Sequence, residues 1–173
     1  MTTTLGRWPA PRANTVEPDD LLVAVGLVNG AQLRGRLGRR GAGHILDRLN
    51  NWPESMLQLA ANAHADGTSA RLVLARSELA WIYPLEVAGS DQMPRAGVTP
   101  AARSVLAHVG AFELRGTPQI FHQIDWADFL LACSSDGRFF GLGDVQIAGP
   151  DTNLHIPVVA VNAARVAALV TLD

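Results

Sequence analysis

The sequence predicts a mainly β protein with short helices, organised as two tandem small five-stranded barrel-like units related by internal duplication. Three observations carry this reading. First, the chain is self-similar with a period of about 80 residues, and such a repeat identifies the folding unit before any propensity is consulted. Ala31-Gln32-Leu33-Arg34-Gly35 followed by His44-Ile45-Leu46-Asp47 returns as Phe112-Glu113-Leu114-Arg115-Gly116 followed by His122-Gln123-Ile124-Asp125. Second, 48% of the 173 residues are hydrophobic and only 17% are charged. That balance suits two units of about 70 residues, each near the lower limit for an independent core and therefore packed against the other. Third, the Val-rich run Leu21–Val28 is closed by Asn29-Gly30, a hairpin signal, because a tight turn needs positive φ and both residues tolerate it.

The repeat extends beyond its first motif when only loops are allowed to change length. Val28 falls on Val109, and the gap from Gly35 to His44 shortens to that from Gly116 to His122. Met56-Leu57-Gln58-Leu59 then matches Phe139-Phe140-Gly141-Leu142, and the turn Asp66-Gly67-Thr68 matches Pro150-Asp151-Thr152. Leu72-Val73-Leu74 corresponds to Ile156-Pro157-Val158-Val159, and Ser77 followed by Trp81-Ile82 corresponds to Asn162 followed by Val166-Ala167.

Taken in order, residues 1–20 read as a flexible arm: Pro9, Pro11, Pro18 and scattered polar residues offer no period, and Trp8 is the one large apolar anchor. The first unit covers 21–85. It begins with the hairpin Leu21–Val28 and Ala31–Leu37, followed by a glycine-rich loop and a short helix over His44–Asn51. Ile45, Leu46 and Leu49 share one face of that helix, and Pro53 stops it. Strands are expected at Met56–Asn62, Ala70–Arg76 and Leu79–Leu85, with a polar turn over Ala63–Ser69. Five short, bent antiparallel strands close most economically as a small barrel, which leaves no long flat edge. Residues 86–100, with Gly89, Ser90, Pro94, Gly97 and Pro100, form the linker. The second unit covers 101–173. Its helix is expected over Gln123–Ala132, with Ile124, Phe129, Leu130 and Leu131 as the buried stripe, and Leu154–Val161 and Ala164–Leu172 finish the unit. The last of these segments is Ala-rich, and helix and strand both remain open for it.

This order of elements, with Leu33-Arg34-Gly35 ahead of a loop and the helix Ile45–Asn50 followed by Met56-Leu57-Gln58-Leu59, resembles a small uncharacterised bacterial β-barrel domain that is Sm-like in shape. The resemblance covers residues 21–85 and, more thinly, 101–172. It implies tandem copies of that barrel. The familiar RNA-binding Sm proteins place their helix before the first strand, whereas here it lies between strands, so the resemblance does not carry their RNA function across.

Charge and composition exclude several classes of function. A net charge of −2 and a pI near 6.2 give no global attraction to nucleic acid or an acidic membrane. All 14 basic residues are Arg, so a Schiff-base lysine, a phosphate-loop lysine and a Ser-Lys dyad are impossible within this sequence. The single cysteine, Cys133, rules out an intrachain disulfide and a cysteine-rich zinc site, and points to a reducing compartment. Met1–Asp20 lacks the apolar core of a signal peptide and no run approaches a membrane span, so a cytoplasmic protein without a membrane partner is expected.

The most distinctive chemistry lies in Arg34-Gly35-Arg36-Leu37-Gly38-Arg39-Arg40-Gly41-Ala42-Gly43. Guanidinium groups on a glycine loop that leads to a helix start can bind phosphate, so Arg34, Arg36, Arg39, Arg40, Gly41 and Gly43 are the candidate ligand residues, for RNA or a nucleotide. The second copy, Arg115-Gly116-Thr117-Pro118-Gln119, has lost nearly all of this charge. The competing reading is a solvated loop whose glycines only permit a turn. Arg36 and Arg40 also have the Arg-x-x-x-Arg spacing of PilZ domains, which bind a cyclic dinucleotide, but the Asp/Asn-x-Ser-x-x-Gly element that should follow is missing.

His44 with Asp47, and His122 with Asp125, supply two metal ligands at best, where a site needs three, and suit helix starts better. Ser104, Ser134 and Ser135 lack a Gly-x-Ser-x-Gly setting, and no carboxylate pair is framed by aromatic residues. Cys133, in an apolar helix stripe, is expected to pack, and Trp52, Trp81 and Trp126 to fill cores or the seam between units. The sequence therefore predicts no catalytic residues, no metal and no cofactor. The expected role is a non-enzymatic interaction or scaffold module whose partner is a protein, either another copy or a different chain, with RNA or nucleotide binding through the Arg/Gly loop as the alternative.

Overall fold

The computed structural model describes residues 20–38, 44–62, 69–85, 99–100, 103–120 and 125–172. Among them the chain is mainly β. In order it forms β1 (Leu21–Leu27), β2 (Gln32–Leu37), α1 (Ile45–Asn50), β3 (Met56–Asn62), β4 (Ser69–Ala75), a 3₁₀ turn (Arg76–Glu78) and β5 (Leu79–Pro84). After the short β6 (Thr99–Pro100) come β7 (Val105–Val109), β8 (Phe112–Ile120), α2 (Trp126–Ser135), β9 (Phe139–Gly149), β10 (Thr152–Asn162), a second 3₁₀ turn (Ala163–Arg165) and β11 (Val166–Thr171).

The strands lie in one antiparallel sheet in the order β11-β7-β8-β9-β10-β5-β1-β2-β3-β4, with β6 paired beside β8. This corrects the expectation of two closed barrels, because the sheet is open. The reason lies in β5. One side of it pairs with β1, and its other side takes β10, with Ala160 opposite Ile82 and Val161 opposite Trp81. An edge that would otherwise need closure is satisfied by the neighbouring strand, and β4 and β11 are left as the outer strands.

Alternation along the strands builds two cores. Val23, Val25, Leu37, Leu49, Leu57 and Leu59 belong to the one under the first half. The other gathers Val105, Leu114, Phe140, Leu142, Val145 and Ile147, and it also takes Ala24, Ala80 and Trp81 from the first half. Trp81 meets Phe112 edge-to-face at 5.4 Å between ring centres and stacks on Tyr83 at 5.8 Å. The expectation that tryptophans fill cores or the seam therefore holds for Trp81, which does both, and for Trp52, which is buried in the first core.

Several sequence expectations shift. The first hairpin is not a two-residue turn: Leu27 N–H donates to Ala31 and Gly30 N–H to Leu27, and only Gly30, at φ 92°, adopts the left-handed conformation. The Asn29 side chain instead accepts from Ala31 N–H, at 3.0 Å. The helix expected over Gln123–Ala132 runs over Trp126–Ser135, because the Asp125 carboxylate accepts from Ala127 N–H at 2.9 Å and Asp128 N–H at 3.3 Å and so fixes the start. The segment after Ala164, open between helix and strand, is a 3₁₀ turn followed by β11. Thr99 and Pro100, expected in the linker, pair with Ile120 and Gln119.

Candidate functional site

β2 carries the first two arginines of the Arg/Gly stretch at alternate positions, so they lie on the same side of the strand, while Gly35 and Leu37 are buried on the other. Arg34 is exposed. Arg36 is half-buried and its Nη1 donates to the Asp20 carbonyl at 3.2 Å, so this guanidinium pins the chain entering β1. Arg39, Arg40, Gly41 and Gly43 lie outside the described residues. Of the expected ligand set, then, Arg34 presents its charge to solvent and Arg36 has a structural contact.

The His-x-apolar-Asp elements do not occupy equal places. His44 sits at the N-cap of α1 but makes no capping bond, and Asp47 lies in the first turn; in α2 it is Asp125 that takes the N-cap. His122 lies outside the described residues. Among the described residues no group of three or more His, Cys, Asp or Glu could hold a metal ion. His155 and Asp144 meet at 2.7 Å across the β9–β10 hairpin, but both face solvent. Cys133 is partly buried against the second core, and burial pushes its thiol above the ordinary range; nearby Asp136 pushes the same way and Arg138 opposes it. A neutral, partly covered thiol is a poor nucleophile.

The richest polar chemistry lies where the two halves meet. Asn50, at the end of α1, donates to Phe139 C=O at 2.9 Å and accepts from Phe139 N–H at 2.7 Å, which clamps α1 to β9. Asn162, buried at the end of β10, donates to Leu79 C=O at 2.9 Å and Arg76 C=O at 3.2 Å, and accepts from Ala164 N–H at 3.2 Å. Arg76 donates to Trp52 C=O and Gly137 C=O at 3.0 and 3.1 Å, and its guanidinium lies over the Phe139 ring at 5.5 Å. Burial lowers its pKa from the ordinary value. These groups bind one half to the other. Nothing in the sequence pattern singles these three out as site residues, because their partners are backbone groups and a ring about 60–90 residues away.

The second group that the sequence did not reveal is a set of apolar side chains facing water. Met56, Val73 and Val170 are 43%, 54% and 48% exposed, and Leu131 on α2, expected in the buried stripe with Phe129 and Leu130, is 70% exposed. Val73 and Val170 lie on the two outermost strands, β4 and β11, and Met56 opens β3 beside β4. No described helix is long and apolar enough to cross a membrane.

Comparison with known proteins returns no match: no family model, no curated protein and no solved structure is significantly similar to this chain.

Proposed function

We propose that this chain is a non-enzymatic interaction module, a duplicated five-stranded unit that acts by pairing its sheet edges with protein. The observation that carries the proposal is the location of the exposed apolar side chains. Val73 and Val170 sit on opposite outer strands, with Met56 adjoining, and outer strands also offer unpaired backbone groups. Exposed apolar groups gathered at a bonding edge suit strand addition better than they suit a small-molecule site.

The duplication is supported by pairing detail. In the first half Leu27 faces Leu79 and Gly26 faces Trp81, so Ala80 is bulged out; in the second, Val109 faces Val166 and His108 faces Ala168, so Ala167 is bulged out. Each half reads strand, strand, helix, strand, strand, 3₁₀ turn, strand, with its fifth strand beside its first. A Cβ at either Gly35 or Gly116 would press on the next strand, against Ala60 O at 3.0 Å or Gly143 O at 2.9 Å, which accounts for the glycine in the repeated Leu-Arg-Gly. Each half is read as one small Sm-like unit.

The test is site-specific photocrosslinking in cells from positions 73 and 170, with positions 153 and 146 as exposed controls away from the edges. Protein adducts confined to the edge positions are expected. Equal labelling at the controls, or no protein adduct at either edge, would refute the reading.

A further inference from the structure

We propose that the protein assembles head to tail with copies of itself, the free edge of β4 in one copy pairing antiparallel with the free edge of β11 in the next. The inference deepens the proposal of an edge-pairing module by naming the occupant, and it rests on a junction already present inside the chain. There, β10 pairs with β5 through Ala160–Ile82 and Val161–Trp81. The strand that stands in the first half where β10 stands in the second is β4, because Leu59 faces Leu72 as Leu142 faces Val159, and each strand runs directly into a 3₁₀ turn. By the same reasoning β11 stands where β5 does, down to the bulge. The register corrects the matches expected from the sequence: Leu27 and not Val28 answers to Val109, Ala75 and not Ser77 to Asn162, and Leu79 and not Trp81 to Val166. The inner junction therefore uses one β4-like edge and one β5-like edge, and among the described residues the two outermost strands of the main sheet offer one of each.

Exposure separates a made junction from an unmade one. Ala160, Val161, Trp81 and Ile82 are all 0% exposed at the inner junction. Their counterparts at the outer edges are Val73 and Leu74 on β4, and Ala168 and Leu169 on β11. Val73 and Ala168 are exposed, and Leu74 and Leu169 are only half-buried. Phe139, packed at the inner junction, is 2% exposed, whereas its counterpart Met56 is 43% exposed. Leu131 belongs to α2, which has the place in its half that α1 has at the inner junction. All four strongly exposed large apolar side chains among the described residues thus fall on elements whose counterparts flank the inner junction.

Transferring the inner register sets Val73 opposite Leu169 of the next copy, and Leu74 opposite Ala168 of the next copy. Such a contact joins two different surfaces, so it propagates until a ring closes or a fibre grows. It also lacks the inner locks. Ala75 stands where Asn162 does, and Ala163 where Arg76 does, so the outer junction is weaker and depends on concentration.

The experiment is sedimentation of the full-length chain over a concentration series, with Val73→Glu and Val170→Glu, both at exposed positions, checked for native circular dichroism. Wild type is expected to exceed the monomer mass as concentration rises. Each variant alone should be monomeric, since each retains one edge and has nothing to pair it with, and an equimolar mixture should give a dimer and nothing larger. As a second measurement in a Cys133→Ala background, oxidation should link a Val73→Cys chain to a Leu169→Cys chain, and neither to itself. A wild type that stays monomeric throughout, a variant that still dimerises alone, or a mixture that stays monomeric overturns the proposal. Edge crosslinks to a different protein would in that event leave the broader interaction reading standing.

Discussion

Gly26 and Trp81 face each other across β1 and β5, and they make the packing at the centre of the molecule measurable. The indole lies over the glycine so closely that a Cβ there would sit inside it. Gly26→Ala therefore overpacks a fully buried site and should cost about 1–3 kcal/mol. Trp81→Ala removes a side chain that is 0% exposed and touches Phe112 and Tyr83, and should cost about 3–5 kcal/mol. The double variant should cost no more than Trp81→Ala alone, because the added methyl then occupies the vacated space, which corresponds to a coupling of about 1–3 kcal/mol. Trp81→Phe should be much milder than Trp81→Ala, since the indole N–H is buried without a hydrogen-bond partner among the described residues and its loss removes a desolvation cost. Urea unfolding followed by far-UV circular dichroism, with equal slopes across the set, measures all four. Costs of the single variants that add within about 0.5 kcal/mol would refute the reasoning.

Asn162→Ala should destabilise by about 1–3 kcal/mol, and Asn162→Asp by more at neutral pH, because a carboxylate facing the carbonyls of Leu79 and Arg76 has nothing to donate; a smaller Asp penalty near pH 4 in thermal melts checks the cause. The raised thiol pKa of Cys133 makes its contribution to stability complete below the ordinary value of 9.0 and lost as pH rises through the higher folded value. Cys133→Ala should flatten that alkaline slope in unfolding curves, and native alkylation at pH 8 should be slower than in urea. Ala75→Asn, which places an amide where the inner junction has Asn162, should tighten self-association by about 2–10-fold, the worth of one hydrogen bond at about 0.5–1.5 kcal/mol, read by sedimentation. Replacing Arg39 and Arg40 by Ala should leave filter binding of a random single-stranded RNA unchanged at low salt; a salt-sensitive loss would favour the phosphate-binding alternative.

Local signals in the sequence located elements well where one residue type decides the matter. The strand Met56–Asn62 emerges with the bounds its apolar alternation predicts, and the first helix ends at Asn50, ahead of Pro53. The second helix starts at Trp126 and not at Gln123, because the repeated His-x-apolar-Asp suggests one register for both segments while the chain uses two. The physical start is the residue whose side chain can accept two free N–H groups, and in the second copy that is Asp125. The sheet stays open for a non-local reason: whether β5 returns to its own half or accepts β10 depends on partners about 80 residues away, and no propensity of Leu79–Pro84 encodes that choice. Of the candidate ligand residues, Arg34 and Arg36 read from the sequence as part of a glycine loop but belong to β2, whose alternation sets them on one side, and nothing local tells that Arg36 is engaged by the Asp20 carbonyl.

If the two halves are the duplicated units proposed, their differences carry as much physical meaning as their likeness. At four places the member facing the inner junction is large or hydrogen-bonding and its outer counterpart is smaller or simpler: Trp81 against Ala168, Phe139 against Met56, Asn162 against Ala75, and Arg76 against Ala163. A junction within one chain forms at high effective concentration and gains from every added contact, since nothing needs to release it. A junction between chains built with the same locks would form early and indiscriminately, including between chains whose halves had not yet docked. The outer edges keep apolar pairing residues in Val73, Leu74 and Leu169 but lack the indole, the ring and the polar locks, so on the proposed assembly the inner seam forms first and the outer one awaits concentration. On this argument the exposed apolar residues are what the outer edges keep of such a junction, and Val73 and Val170 mark where the proposed contact between copies would form.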